Sequence, residues 1–224
     1  MKTEHCFFAD WQSTRKLLEK WKLPFIETVE AMGCGQASGE AGRIGYPVVL
    51  KGISARFSHK SEHGLVRTGL RNGSELEDAC RAMAENTGLE SFLVQKQAES
   101  GFEMITGILR DALFGPVVLF GPGGIYVELL DDTRMLRPPF GRPDVIRAME
   151  KMAGFPLMKG FRGAPPADLE AFAALVCRVG DIAADLPETV ESVDFNPVIV
   201  HPRGLSMVDV RISMYESEGG ASDE

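Results

Sequence analysis

The apolar residues of this chain come in short runs bounded by glycine or proline. Val48-Val49-Leu50 follows Pro47, Val117-Val118-Leu119-Phe120 lies between Pro116 and Gly121, and Ile125-Tyr126-Val127-Glu128-Leu129-Leu130 begins after Gly123-Gly124. Runs of this size read as sheet strands, because each breaker turns the chain before a membrane span of about 18 apolar residues can build. Helical spacing is confined to a few segments. Residues 13–22 open on Ser13 or Thr14, put Leu17, Leu18 and Trp21 on one face and stop at Pro24. Further helices are expected near 36–43, 74–86, 143–152 and 167–185. Strands are expected at 25–29, 46–51, 65–70, 92–95, 103–109, 116–120, 125–130, 198–201 and 206–211. This order suits an α+β fold with mixed or antiparallel sheets better than strict βαβ alternation. It is read here as two α+β lobes, 1–95 and 96–214, with a small acidic tail at 215–224 expected to be disordered.

Charge narrows the function classes. With 24 Lys and Arg against 32 Asp and Glu, the 224 residues carry a net charge of -8 and no basic cluster. Bulk electrostatic binding to nucleic acid or to an anionic membrane is therefore not expected. The first residues lack the apolar stretch of a secretory signal. Cys6, Cys34, Cys80 and Cys177 are scattered with no C-x-x-C pair, which excludes a sequence-evident zinc ribbon and leads us to expect a reduced, cytoplasmic setting.

Four groups of residues have chemical potential. Lys51 ends an apolar run, so its ammonium is expected to emerge from a strand end, where it could hold phosphate oxygens. His59 lies in a polar loop with Lys60 and Ser61 and could act as a base or accept a phosphoryl group. No G-x-x-x-x-G-K-[ST] occurs, which argues against a P-loop nucleotidase. Gly121, Gly123 and Gly124 sit in a turn that could bare backbone N–H groups to an anion. Asp194 and Asn196 project to one side of an extended chain. If Asp209 pairs back through the turn at 201–204, three oxygen donors suited to Mg2+ converge. Each feature has an ordinary counterpart: a solvated lysine, a surface histidine, a hairpin turn, an Asx-Pro turn. The residues alone leave both readings open.

Taken in order, Tyr46-Pro47-Val48-Val49-Leu50-Lys51, His59-Lys60-Ser61, Phe102-Glu103, Arg110-Asp111, Phe114-Gly115-Pro116, Gly123-Gly124-Ile125-Tyr126-Val127-Glu128, Pro156-Leu157-x-Lys159-Gly160-Phe161-Arg162-Gly163 and Asp194-x-Asn196-Pro197 form a recognisable set. The chain resembles, over roughly 13–212, the ATP-grasp domain of ADP-forming acyl-CoA (acetyl-CoA) synthetases, their β subunit, related to the succinyl-CoA synthetase β chain. The resemblance implies an ATP-grasp fold whose two lobes clamp a nucleotide, ATP or ADP with Mg2+. It also implies a reversible conversion of acyl-CoA, phosphate and ADP to a small carboxylic acid, CoA and ATP. CoA would sit on a separate α-type partner in a hetero-oligomer, since no G-x-G-x-x-G opens a βαβ unit here. By the same resemblance Lys51 contacts nucleotide phosphates, His59 is transiently phosphorylated, and Asn196 and Asp209, with Asp194 nearby, bind magnesium. Residues 93–97, with Val94, Gln95, Lys96 and Gln97, form the hinge beside adenine, and Glu103 belongs to the nucleotide site.

The sequence departs from the pattern at Lys96 and Ser192, where relatives usually carry acids, at Glu62-His63-Gly64-Leu65 after the histidine, and at Pro122. Two alternatives follow: an ATP-grasp carboxylate–amine ligase, which needs no His59, and a binding subunit with weakened catalysis.

Overall fold

The computed structural model describes residues 6–53, 64–124 and 132–215. The loop carrying His59, the run 125–130 and the acidic tail from 216 lie outside these residues. The chain folds as two compact units, Ile26–Ala98 and a larger one made of Met1–Phe25 with Glu99–Glu224. A single boundary near residue 95 therefore misses one feature: the N-terminal segment belongs with the C-terminal half.

In the smaller unit β2 (Thr28–Met32), β3 (Val48–Gly52), β4 (Val66–Leu70) and β5 (Ser91–Lys96) form an antiparallel sheet in the order β2-β5-β3-β4. Helices α2 (Gly33–Ile44) and α3 (Gly73–Thr87) supply Ala37, Ala41, Leu76, Cys80 and Met83 to its core. Asn72 caps α3 by accepting the Glu75 N–H at 3.0 Å, and Glu75 returns a bond from the Arg71 N–H at 2.8 Å. Cys34 on α2 and Cys80 on α3 are joined as a disulfide with Cα atoms 5.6 Å apart. Cysteines scattered along the sequence are thus adjacent in space, and the argument from their spacing to a reduced setting does not hold for this pair.

The larger unit holds a seven-stranded sheet among its described residues. Its strands are β1 (Cys6–Phe8), β6 (Phe102–Asp111), β7 (Gly115–Pro122), β8 (Arg134–Leu136), β9 (Val190–Val200), β10 (Leu205–Met207) and β11 (Arg211–Tyr215). The order is β1-β11-β9-β6-β7-β8, with β10 also on β9, and every pairing is antiparallel. Helices α1 (Trp11–Trp21), α4 (Arg142–Met149), α5 (Phe155–Met158) and α6 (Leu169–Ala184) complete the unit. Phe172, Val176, Val179 and Ala183 of α6 share a core with Ile108, Val118, Phe120, Val193 and Phe195 of the sheet. Burial of these side chains, each contributing about 1.5–3 kcal/mol, holds helix to sheet.

The stretch 192–197 lies inside β9, an eleven-residue strand. Two irregularities hid it. Between Met104 and Thr106 on β6, β9 advances from Val198 to Phe195, and between Ser213 and Met214 on β11 it advances from Ser192 to Val190. Each β-bulge inserts a residue and breaks the period-two alternation by which a strand is read. The expected strand at 25–29 appears at 28–32, because Phe25 instead makes a bridge to Met207 of the larger unit.

Candidate functional site

Between the bulges, β9 alternates sharply. Val193 and Phe195 are buried in the core, whereas Asp194 and Asn196 are exposed on the opposite face. Asp209 falls in the break between β10 and β11. Leu205 pairs with Val200 and Met207 with Val198; beyond the break Arg211 pairs with Asp194. The register is the same on both sides, which carries Asp209 opposite Asn196. Val208 N–H still donates to Pro197 O at 3.3 Å, so the strands stay together through the gap. Val210 and Ile212 pack toward the core, which turns Asp209 and Arg211 to the Asp194 face. The carboxylate of Asp209 accepts the Val210 N–H at 3.0 Å.

Two further residues shape this face, and neither was singled out from sequence. Gly107 pairs with Asp194, and a Cβ placed there would stand 3.1 Å from Asp194 Oδ1 and 2.6 Å from Val193 O. Glycine is what lets the carboxylate lie over β6. Arg211, directly across from Asp194, rests its guanidinium 4.9 Å from the Phe8 ring centroid. The crowding of protein atoms raises the Asp194 pKa by desolvation, partly opposed by Arg211, while Glu191 pushes it further up. A hidden register supplies both neighbours, so no local motif could have signalled them.

The other expected residues are placed as follows. Glu103, on β6, is exposed on the Asp194 face of the sheet. Its carbonyl accepts the Gly123 N–H at 2.7 Å, and its carboxylate lies against Gly124, where a Cβ would clash with it. Gly121 approaches Asp132 O and Thr133 closely enough that a Cβ would stand 3.0 Å from the former. Gly121 and Gly123 are required by the close approach of neighbouring backbone, and the Gly123 N–H is spent on Glu103 O, so that donor is not bared to an anion. In the smaller unit Lys51 does not emerge at a strand end: it is 6% exposed, between Leu93 and Val66 on the flanking strands, and engaged by a partner. Val94 is fully buried and Gln95 is 2% exposed, its amide donating to Thr28 Oγ1 at 2.8 Å. Lys96 Nζ donates to Gly45 O at 2.8 Å, at the C-terminal end of α2. Gln97 N–H donates to Pro47 O at 3.1 Å and its side chain accepts the Gly69 N–H at 2.9 Å. His59 lies outside the described residues.

The donor set on the larger unit fits Mg2+ in one particular way. Among the described residues no three His, Cys, Asp or Glu side chains form a ready-made cage. One amide oxygen and two carboxylates suit a hard cation that brings nucleotide phosphates and water as its remaining ligands. No helix among the described residues is long and apolar enough to cross a membrane.

Comparison with known proteins gives the family. Residues 8–214 match the ATP-grasp domain family. The chain is 32% identical over 205 residues to the acetate–CoA ligase (ADP-forming) I subunit beta of Pyrococcus furiosus, covering 88% of each chain. It is 37% identical over 207 residues to the acetate–CoA ligase (ADP-forming) I of Archaeoglobus fulgidus, covering 89% of this chain but 30% of that longer one. The dinucleotide-forming acetyl-coenzyme A synthetase 1 of Ca. Korarchaeum cryptofilum, solved with coenzyme A, Ca-AMPCP and HgCl+, superposes with a TM-score of 0.87 at 34% identity, over 94% of both chains. The same protein, solved with coenzyme A and Mg-AMPPCP and with its phosphohistidine segment pointing towards the nucleotide binding site, superposes with a TM-score of 0.80 at 34% identity, over 93% of this chain and 92% of that one. With residues 8–214 matched by the family and a β subunit 32% identical over 88% of each chain, the chain belongs to the ATP-grasp family, in the branch that supplies the β subunits of ADP-forming acyl-CoA ligases.

Proposed function

We propose that the chain is the nucleotide-binding, β-type subunit of an ADP-forming acyl-CoA synthetase, an acid–thiol ligase that works with a CoA-binding α-type partner. The observation that carries this is the register of β9 with β10 and β11, which sets Asp209 opposite Asn196 and beside Asp194. Asn196 and Asp209, with Asp194, hold the Mg2+ of a bound ADP or ATP; when bound, the ion neutralises phosphate charge and orients the terminal phosphoryl group. Lys51 is the cation that contacts the nucleotide phosphates. His59 takes the phosphoryl group from an acyl phosphate made on the partner. Its imidazole nitrogen forms the N–P bond as the carboxylate leaves, and the β-phosphate oxygen of ADP then displaces the histidine. The free acid is a small carboxylic acid, and the setting is the cytoplasm, where CoA and adenine nucleotides are held.

Lys96 does not count against this reading. Its ammonium is committed to the end of α2, so a lysine in the hinge need not meet the base. Acyl-CoA, phosphate and ADP mixed with the chain and a CoA-binding partner should yield ATP, and His59→Ala should abolish that yield while leaving nucleotide binding intact. Full activity in His59→Ala would point instead to direct transfer of the ligase type and would overturn the relay.

A further inference from the structure

Helix α2 is tied at both ends. Near its start, Cys34 is bonded to Cys80 of α3; at its end, the Gly45 carbonyl accepts the Lys96 ammonium at 2.8 Å. Between these ties α2 packs on the sheet that carries Lys51 and the hinge strand β5. The two sulfurs differ in access: Cys80 has no exposed surface, whereas Cys34 is half-buried and stands in the first turn of α2. A helix N-terminus favours a negative sulfur, the species that attacks in thiol–disulfide exchange. A Cα separation of 5.6 Å lies within the ordinary range for a disulfide, so the bond can open and close without backbone movement.

We propose that Cys34 and Cys80 are a reversible redox modification site, with Cys34 the entry point for a small-molecule thiol or disulfide and Cys80 the buried resolving cysteine. In the oxidative direction the Cys34 thiolate attacks glutathione disulfide and releases one glutathione thiolate. The Cys80 sulfur then displaces the second glutathione, its thiol proton passing to the departing glutathione sulfur. Two protein thiols are oxidised to one S–S bond while one glutathione disulfide is reduced to two thiols. The closed form pins the start of α2 to α3, while the reduced form leaves the helix held by core packing, by Lys96, by the Gly33 N–H bond to Glu90 O at 2.7 Å and by the Arg43–Glu27 ion pair at 3.2 Å. A cross-link spanning 46 residues restricts the unfolded chain strongly, so the closed form is the more heat-resistant one.

The test uses the full chain equilibrated with glutathione disulfide or with dithiothreitol, then alkylated and mapped by mass spectrometry, with thermal unfolding measured in parallel. The expected result is a Cys34–Cys80 linked peptide after the disulfide, full alkylation of both cysteines after dithiothreitol and unfolding, and a midpoint several degrees higher in the oxidised form. Cys34→Ser should remove both the linked peptide and the difference in midpoint. Should that variant fold poorly, Cys80→Ala should leave Cys34 as a stable mixed disulfide with glutathione, which reads the entry step directly. Free Cys34 and Cys80 after oxidation, pairing with another cysteine, or equal midpoints in the two forms would each overturn the proposal.

Discussion

At the scale of single residues, Asp194 shows how a binding face works against stability. Desolvation by the surrounding protein atoms raises its folded pKa above the ordinary carboxylate value, so the folded chain holds that proton more tightly than the unfolded chain. Above the raised pKa the ionised carboxylate therefore lowers stability, and the penalty disappears as pH falls below the ordinary value. Asp194→Asn is expected to raise the thermal midpoint of the ligand-free chain at neutral pH and to lower its affinity for Mg2+-ADP by about 10- to 100-fold. Differential scanning fluorimetry and calorimetric titration would read the two effects; an unchanged affinity would remove Asp194 from the site. Gly107→Ala places a methyl group 2.6 Å from Val193 O, so a loss of about 1–3 kcal/mol is expected in urea unfolding. That Asp194 and Asn196 share one exposed face was legible from their spacing. Gly107 and Arg211 were not, since their meaning depends on which strand lies beside them.

Elements depend on terminal bonds that sequence shows only in part. Asp168 accepts the Ala171 N–H at 3.0 Å, capping α6, and its other oxygen accepts the Gly204 N–H at 2.8 Å from the turn that joins β9 to β10. These bonds, Gly204 first, hold its pKa below the ordinary carboxylate value. A lowered folded pKa means that the contribution is complete above the ordinary value and is lost as pH falls through the folded one. Asp168→Ala should cost about 1 kcal/mol at neutral pH, and the gap from the parent should close in strong acid. A gap that stays constant down to strong acid would show that the carboxylate's charge is not what matters. Helices α1, α3 and α6 were all legible, because 3.6-residue spacing is a local signal, although α1 is capped by Asp10 and not by Ser13 or Thr14. Of β9 only the end was legible, as the expected strand at 198–201, because two bulges interrupt the alternation and the exposed face carries Asp194 and Asn196 where a core strand would show apolar residues.

For the molecule as a whole, ligand binding should appear as added stability. If Mg2+-ATP binds the folded chain alone, a concentration 100 times the dissociation constant stabilises it by about 2.7 kcal/mol. Lys51→Met and Asn196→Ala should each shrink the resulting rise in thermal midpoint. A shift lost in neither variant would remove Lys51 and Asn196 from the proposed nucleotide site. By itself the sequence determined the α+β class, most helices and the sheet-rich middle of the chain, because helical spacing, strand alternation and turn residues act over a few positions. Only the tertiary structure decided that Met1–Phe25 joins the C-terminal half, that Cys34 meets Cys80, and that Asp209 stands opposite Asn196. Those outcomes rest on strand register and core packing between residues far apart along the chain, and no local preference encodes which distant partner a strand will take.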